Sequence, residues 1–207
     1  NRHLNQRSEM LSGISHDLRT PLTRLKLQLA MINNKEISSN MSKDIDEMEN
    51  MLNDYLQFAK TQTKESTEKV NIKYILQNIK NKINNVYLTL NIEEEIFVNA
   101  RRNALERCFS NIINNGLTYG KKVIVTVQKS SNRVVILFDD NGPGIPAEHY
   151  RNVFKPFFRL DKSRSLNKSG VGLGLAIVED IVNSHGGNIQ LSKSNVGGLQ
   201  VKVSLPF

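Results

Sequence analysis

The sequence predicts an α+β chain in two parts, an N-terminal helical hairpin followed by a two-layer α/β sandwich. Three observations carry that prediction. Leucine and isoleucine recur every seven residues from Leu4 to Ile32, the spacing of one face of a long helix. A second apolar stripe runs from Met41 to Ala59 at alternating intervals of four and three. Beyond a polar stretch at 61–70, strand patterns and helical patterns are mixed, and clustered helices beside a mostly antiparallel sheet make a two-layer domain.

Taken in order, residues 1–33 read as one helix, with Leu4, Leu11, Leu18, Leu25 and Ile32 on the stripe and Ile14, Leu22 and Leu29 filling it. Pro21 removes a backbone donor and predicts a bend just after His16. Residues 33–40 are a polar turn. A second helix covers Met41 to Lys64, with Ile45, Met48, Leu52 and Tyr55 on its stripe. One hairpin cannot bury both stripes. Two hairpins joined in a four-helix bundle can, which predicts a homodimer through residues 1–64. The aperiodic 61–70 segment is a linker, so the domains divide as 1–66 and 67–207. In the second domain, helices are expected at Asn71–Ile83, Asn103–Leu117, Pro146–Val153 and Leu173–Ser184. Strands are expected at Tyr87–Ile92, Ile96–Asn99, Lys122–Gln128, Arg133–Asp139, Asn188–Ser192 and Leu199–Leu205. Residues 159–171 form a polar loop.

With 39% hydrophobic and 23% charged residues the chain is globular, not disordered. No run approaches the ~18 apolar residues of a membrane span, and no signal peptide is expected within these residues. The first residue, Asn1, fits a fragment of a longer protein. A single cysteine, Cys108, excludes an internal disulfide framework. The four histidines lack zinc spacing. The net charge of +8 is carried by the second part: residues 1–67 hold 9 basic and 9 acidic side chains, residues 68–207 hold 19 and 11. The basic residues are dispersed, tryptophan is absent and no recognition-helix pattern appears, which argues against nucleic acid as a partner. A polyanionic nucleotide accounts for part of the charge.

Five stretches carry chemistry. His16 stands beside Asp17, and Thr20 lies one helical turn on, on the same face. Asn111 and Asn115 are likewise four apart on a helix, and their carboxamide oxygens suit Mg²⁺ bridging phosphates. Asp139-Asp140-Asn141-Gly142-Pro143-Gly144 ends an apolar strand in a carboxylate and a glycine turn. That carboxylate can accept a hydrogen bond from an adenine amino group, and the glycines permit close ligand approach. Gly170-Val171-Gly172-Leu173-Gly174 runs into a helix, whose free N–H groups and dipole favour phosphate. It is neither a dinucleotide fingerprint, since position 175 is Leu175, nor a Walker A loop. Phe154-Lys155-Pro156-Phe157 precedes the polar loop and could anchor a lid. Cys108 reads as a small core residue, and His185, before Gly186-Gly187, as part of a helix-ending turn.

In this order the stretches resemble the boxes of a two-component sensor histidine kinase. His16 to Leu22 is similar to the H box, Asn111 to Asn115 to the N box, and Asp140 to Gly144 to the G1 box. Phe154 to Phe157 is similar to the F box and Gly170 to Gly174 to the G2 box, with Gly197-Gly198 at the last glycine motif. The run Ser15 to Arg24, with Tyr119-Gly120 after the N box, is closest to the osmosensor members. The resemblance spans essentially the whole chain.

That resemblance implies a dimerisation and histidine-phosphotransfer domain followed by a Bergerat-type ATP-binding domain. It implies His16 as phosphoacceptor, Asp17 as the neighbouring acid/base and Thr20 as the residue orienting water in phosphatase action. Asn115 becomes the Mg²⁺ ligand with Asn111 beside it, Asp140 the adenine reader and Tyr119 a neighbour of the nucleotide. Gly142, Gly144, Gly170, Gly172 and Gly174 shape the ATP site and lid. The implied partners are a second copy and a response regulator receiver domain. The implied location is the cytoplasmic portion of a bacterial inner-membrane protein, this fragment not itself spanning the membrane. Two positions depart from the family pattern. Thr118 stands where a basic residue is frequent, and Gly116 stands where alanine is usual, at up to about 1 kcal/mol of helix propensity. A nucleotide-binding, non-catalytic dimeric docking module is the alternative reading, and a gyrase- or chaperone-type ATPase would share the nucleotide boxes but leave the His16 hairpin unexplained.

Overall fold

In a computed structural model of the chain, the described residues are 20–29, 31, 37–43, 45, 46, 48, 49, 65–160 and 172–207. They fall into two compact units that divide between Lys64 and Glu65.

In the first unit, residues 20–29 form helix α1, and residues 37–43, 45, 46, 48 and 49 are helical and belong to α2. Leu22 and Leu29 of α1 cluster with Ile45 of α2, all buried. Lys26 reaches across to Asp46 at 2.7 Å and Glu49 at 2.8 Å, and Ser38 Oγ donates to the Leu29 carbonyl at 3.0 Å. Partner numbers rise along α2 as they fall along α1, so the pair is antiparallel, as a hairpin requires. The turn is shorter than the polar composition of 33–40 predicts, because residues 37–40 are already helical. The bend expected between His16 and Pro21 lies outside the described residues.

The second unit holds strands β1 (Glu68–Asn71), β2 (Leu88–Ile92), β3 (Phe97–Ala100), β4 (Val123–Ser130), β5 (Arg133–Asp140), β6 (Asn188–Lys193) and β7 (Leu199–Pro206), with helices α3 (Ile72–Ile83), α4 (Arg102–Tyr119) and α5 (Gly174–Ser184). A five-stranded sheet runs β2-β4-β5-β7-β6. Only β2 with β4 is parallel; the other neighbours are antiparallel. Alternation fixes the buried face, since Val125 registers with Phe138 and Phe138 with Val201, and all three are buried. The helices cover that face. Asn71 caps α3 by accepting from the Tyr74 N–H at 3.2 Å, and Asn84 ends it in the left-handed region. Its buried residues Ile72, Ile75, Leu76 and Ile79 keep the i, i+3, i+4, i+7 rhythm of one face. Phe109 of α4 meets Phe138 of β5 with ring centroids 5.6 Å apart, which seats α4 on the sheet centre. This is the α+β, two-layer architecture expected from the sequence.

Two expectations fail locally. Residues 68–70, read as linker, form β1 together with Asn71, read as the first residue of the following helix, and pair antiparallel with β3. Only Val70 in that strand is buried, so no alternation shows in the sequence. Pro146 to Val153 is not one helix but two 3₁₀ turns, Ala147–His149 and Asn152–Phe154. Pro156 forces Lys155 into extended backbone and stops the second turn.

Candidate nucleotide site

The site is built where α4 crosses the ends of β4 and β5. Asn111, Asn115 and Tyr119 are spaced by four along α4, away from the buried stripe of Leu105, Cys108, Phe109, Ile112 and Ile113. Gly116 lies in that stripe. A methyl group there would come 2.7 Å from Val123 Cγ2 and 3.3 Å from Asp140 Cβ. The glycine that lowers helix propensity is therefore what lets α4 lie against β4 and brings Asp140 alongside the helix.

Asp140 is the last residue of β5. Its Oδ1 accepts from the Gly142 N–H at 2.8 Å and the Leu199 N–H at 3.1 Å, and its carbonyl accepts from the Gly198 N–H at 3.0 Å. Oδ2 has no hydrogen bond among the described residues, which leaves one acceptor for a ligand donor. Gly142 sits against the Tyr119 backbone, where an added methyl would lie 3.1 Å from the Tyr119 carbonyl. Gly144 has a positive φ of 72°, a turn geometry suited to glycine. Next door, Asn141 Oδ1 accepts from both Lys121 N–H and Lys122 N–H at 2.8 Å, fastening the end of α4 to the glycine turn.

The second glycine block meets the same place. An added methyl at Gly174 would lie 3.4 Å from Asn115 Nδ2, so the start of α5 abuts the Asn115 amide. No side chain caps α5 and its first turn carries no acid, leaving that end free for an anion. Gly172, at φ 77°, accepts from the Phe157 N–H at 3.0 Å. Phe157 itself adopts φ 64°, unusual for a bulky residue.

One turn before Asn115, Asn111 has a buried Nδ2 with no hydrogen-bond partner among the described residues. A buried amide left unpaired costs about 1–3 kcal/mol. That orphan donor, the Asp140 oxygen and the uncapped α5 together fit a polyanionic nucleotide. The structure thus draws together Asn111, Asn115, Tyr119, Asp140, Gly142, Gly144, Gly172 and Gly174. Thr20 is the first described residue of α1 and is exposed. His16, Asp17 and Gly170 lie outside the described residues. Sequence reasoning did not assign Asn141, the Leu199 N–H or Gly198 to the site. Glycine pairing at 197–198 was the visible signal for the last; nothing in the sequence signals a backbone N–H.

Comparison with known proteins agrees. Residues 6–64 match the His Kinase A (phospho-acceptor) domain. Residues 100–207 match the histidine kinase-, DNA gyrase B-, and HSP90-like ATPase family. The chain belongs to the sensor histidine kinases. It is 36% identical over 211 residues to the sensor histidine kinase GtrS of Pseudomonas aeruginosa, covering 99% of this chain and 43% of that protein. It is 33% identical over 223 residues to the sensor histidine kinase CpxA of Escherichia coli, covering 100% and 48%. The chain therefore spans about half the length of the curated relatives it matches. Among solved structures, full-length ShkA in complex with AMPPNP shares the fold, with a TM-score of 0.74 at 22% identity over 97% of this chain and 46% of that one. The histidine kinase domain of the E. coli osmosensor EnvZ aligns with a TM-score of 0.54 at 30% identity, over 70% and 92%. The second unit is thus the ATP-binding part of a sensor histidine kinase. No helix among the described residues is long and apolar enough to cross a membrane.

Proposed function

We propose that this chain is the cytoplasmic catalytic portion of a bacterial inner-membrane sensor histidine kinase. It autophosphorylates His16 from ATP, passes the phosphoryl group to an aspartate on a response regulator receiver domain, and also dephosphorylates that regulator. Residues 1–66 serve dimerisation and phosphotransfer, and residues 67–207 serve catalysis. The observation that carries the reading is the packing of the Asn115 amide against Gly174 beside a doubly bonded Asp140.

In this reading Asp140 Oδ2 takes the adenine amino group, and the open N–H groups at the start of α5 take phosphate oxygens. Asn115, with Asn111 beside it, holds Mg²⁺ through a carboxamide oxygen. Mg²⁺ held there would supply charge neutralisation for the transferring phosphoryl group. The neutral imidazole of His16 is the nucleophile, and Asp17 keeps the proton on the other ring nitrogen. Thr20, one turn along, orients water for regulator dephosphorylation. The homodimer has support in the first unit. Leu25, Met41 and Met48 belong to the apolar stripes yet are 42%, 43% and 51% exposed in a single chain, the surface a second copy would cover.

The test is incubation with γ-labelled ATP and Mg²⁺. Acid-labile label is expected on the wild type and absent from His16→Ala. Equal label on both refutes the kinase reading, and nucleotide binding without any label points instead to a docking module. Thr20→Ala should slow loss of regulator phosphate; an unchanged rate removes the phosphatase role.

A further inference from the structure

The amino end of α4 lacks what a helix start ordinarily carries. Its N-cap is Arg101, which makes no side-chain cap, and no acidic residue stands in its first turn. The missing acceptor comes from far upstream. Glu65 Oε1 accepts from the Asn103 N–H at 2.6 Å, and Oε2 accepts from the Ala104 N–H at 3.3 Å. A carboxylate on two backbone donors at a helix start is favoured by charge as well as by hydrogen bonding. Three residues on, Glu68 takes the Arg102 Nε at 2.7 Å, and β1 then pairs with β3, the strand that leads into α4. Residues 65–71 are thus laid along the start of the helix that bears Asn111 and Asn115.

Glu65 is also where the second unit begins, directly after the residues 6–64 that match the phospho-acceptor domain. From Ala104 to Asn111 is seven residues of helix, a rise of about 10 Å. We propose that Glu65 is a positioning residue that pins the end of the interdomain linker to the ATP-binding helix and so sets how far the nucleotide site can travel from His16. The proposal rests on the kinase reading above. Without the pin, residues 65–67 are released from the start of α4, adding about 10 Å of extended reach. Slack lowers the effective concentration of a tethered domain at its target. It leaves the nucleotide contacts themselves alone.

The experiment compares the wild type, Glu65→Ala, and the double variant Glu65→Ala with Arg101→Ser, in which a serine N-cap replaces the lost cap from within the helix. Glu65→Ala should lower the maximal autophosphorylation rate at least roughly threefold with KM for ATP unchanged, and trypsin should cut after Lys64 faster. The double variant should recover the melting temperature but not the rate. An unchanged rate in Glu65→Ala overturns the proposal, and so does recovery of both properties in the double variant, which would make Glu65 a helix cap alone. If the wild type carries no phosphohistidine, the kinase reading fails by itself. The trypsin comparison then decides the pin, and equal cleavage of wild type and Glu65→Ala overturns it.

Discussion

Replacing Gly198 with alanine should damage the nucleotide site from a residue that offers a ligand no side chain. A Cβ at position 198 would sit 2.1 Å from Asp140 Oδ1, 2.5 Å from the Gly142 nitrogen and 2.6 Å from the Asp140 carbonyl oxygen. None of these is the far end of a flexible chain. The carboxylate has to move, and its bonds to the Gly142 and Leu199 N–H groups go with it. Hydrogen bonds to a charged group are worth about 1.5–3 kcal/mol each, and overpacking adds about 1–3 kcal/mol. These terms are not additive, so we expect a loss of about 3–5 kcal/mol. For a unit of this size that is a fall of about 10–20 °C in melting temperature. Nucleotide affinity, followed by titration calorimetry below the new melting temperature, should drop at least about tenfold, because ~1.4 kcal/mol of lost contact suffices. Gly197→Ala is the control. Its Cβ would meet nothing within 4 Å, but its φ is 115°, so it should cost about 1–3 kcal/mol of backbone strain and spare affinity. If Gly198→Ala melts within about 2 °C of wild type and binds nucleotide normally, Asp140 is not held by the geometry described, and the reasoning fails.

Other predictions follow from single side chains. Burial, with a smaller contribution from Arg101, holds the His185 ring below its ordinary pKa of 6.5, against the opposing pull of the Ile181 carbonyl and Glu65. The neutral ring donates from Nδ1 to the Ile181 carbonyl at 2.7 Å and accepts the Arg101 N–H on Nε2 at 3.1 Å. As pH falls below 6.5 the unfolded chain takes a proton first, so this stability is complete above 6.5 and is lost towards the lower folded pKa. Urea midpoints between pH 7.5 and 5 should show a downward slope that is shallower in His185→Gln; parallel slopes would contradict it. Burial pushes the Cys108 thiol far above its usual range, so an aromatic disulfide reagent should label native protein only as fast as the domain opens. Rapid native labelling would refute the packing of α4. Phe157→Gly should leave stability within about 1 kcal/mol of wild type, because relief of a left-handed φ, about 1–2 kcal/mol, offsets the loss of a ring that is 58% exposed. A loss above about 3 kcal/mol in denaturant titration would show that the ring is a core anchor.

The elements that could be read from the sequence are those whose burial is periodic. Val123, Val125 and Val127 alternate, and Ile72, Ile75, Leu76 and Ile79 recur at helical spacing; each pattern reports a face buried by its own element. β1 was hidden because a four-residue strand with one buried side chain has no period to show. The 3₁₀ turns after Pro146 were misread for a related reason: i→i+3 and i→i+4 turns share a composition over so few residues. In the site, Asn111, Asn115 and Asp140 were visible as side chains able to do chemistry. Asn141 was not, since one asparagine oxygen that gathers two backbone N–H groups looks in sequence like any other turn asparagine.

The glycines and Glu65 point to a common cause. What a residue contributes here often depends on an atom far along the chain. Gly116 looks like a weak spot in α4 until Val123 and Asp140 are set against it, and Gly198 looks like loop freedom until Asp140 Oδ1 occupies the place of its Cβ. The same holds for capping. A rule that inspects Arg101 and its neighbours finds no acceptor, while Glu65 supplies one across 38 residues of sequence. Local rules fail at these positions because the local shortage is met by tertiary contact, and a local conflict of that kind is a pointer to where distant segments must meet. Three such conflicts lie on or beside α4, at its start, which has no local cap, at Gly116 and at Asn111, whose Nδ2 has no partner among the described residues. α4 is therefore where residues 65–71, the sheet and the proposed nucleotide site meet. Changes in any one of them should be felt first in its hydrogen-exchange protection.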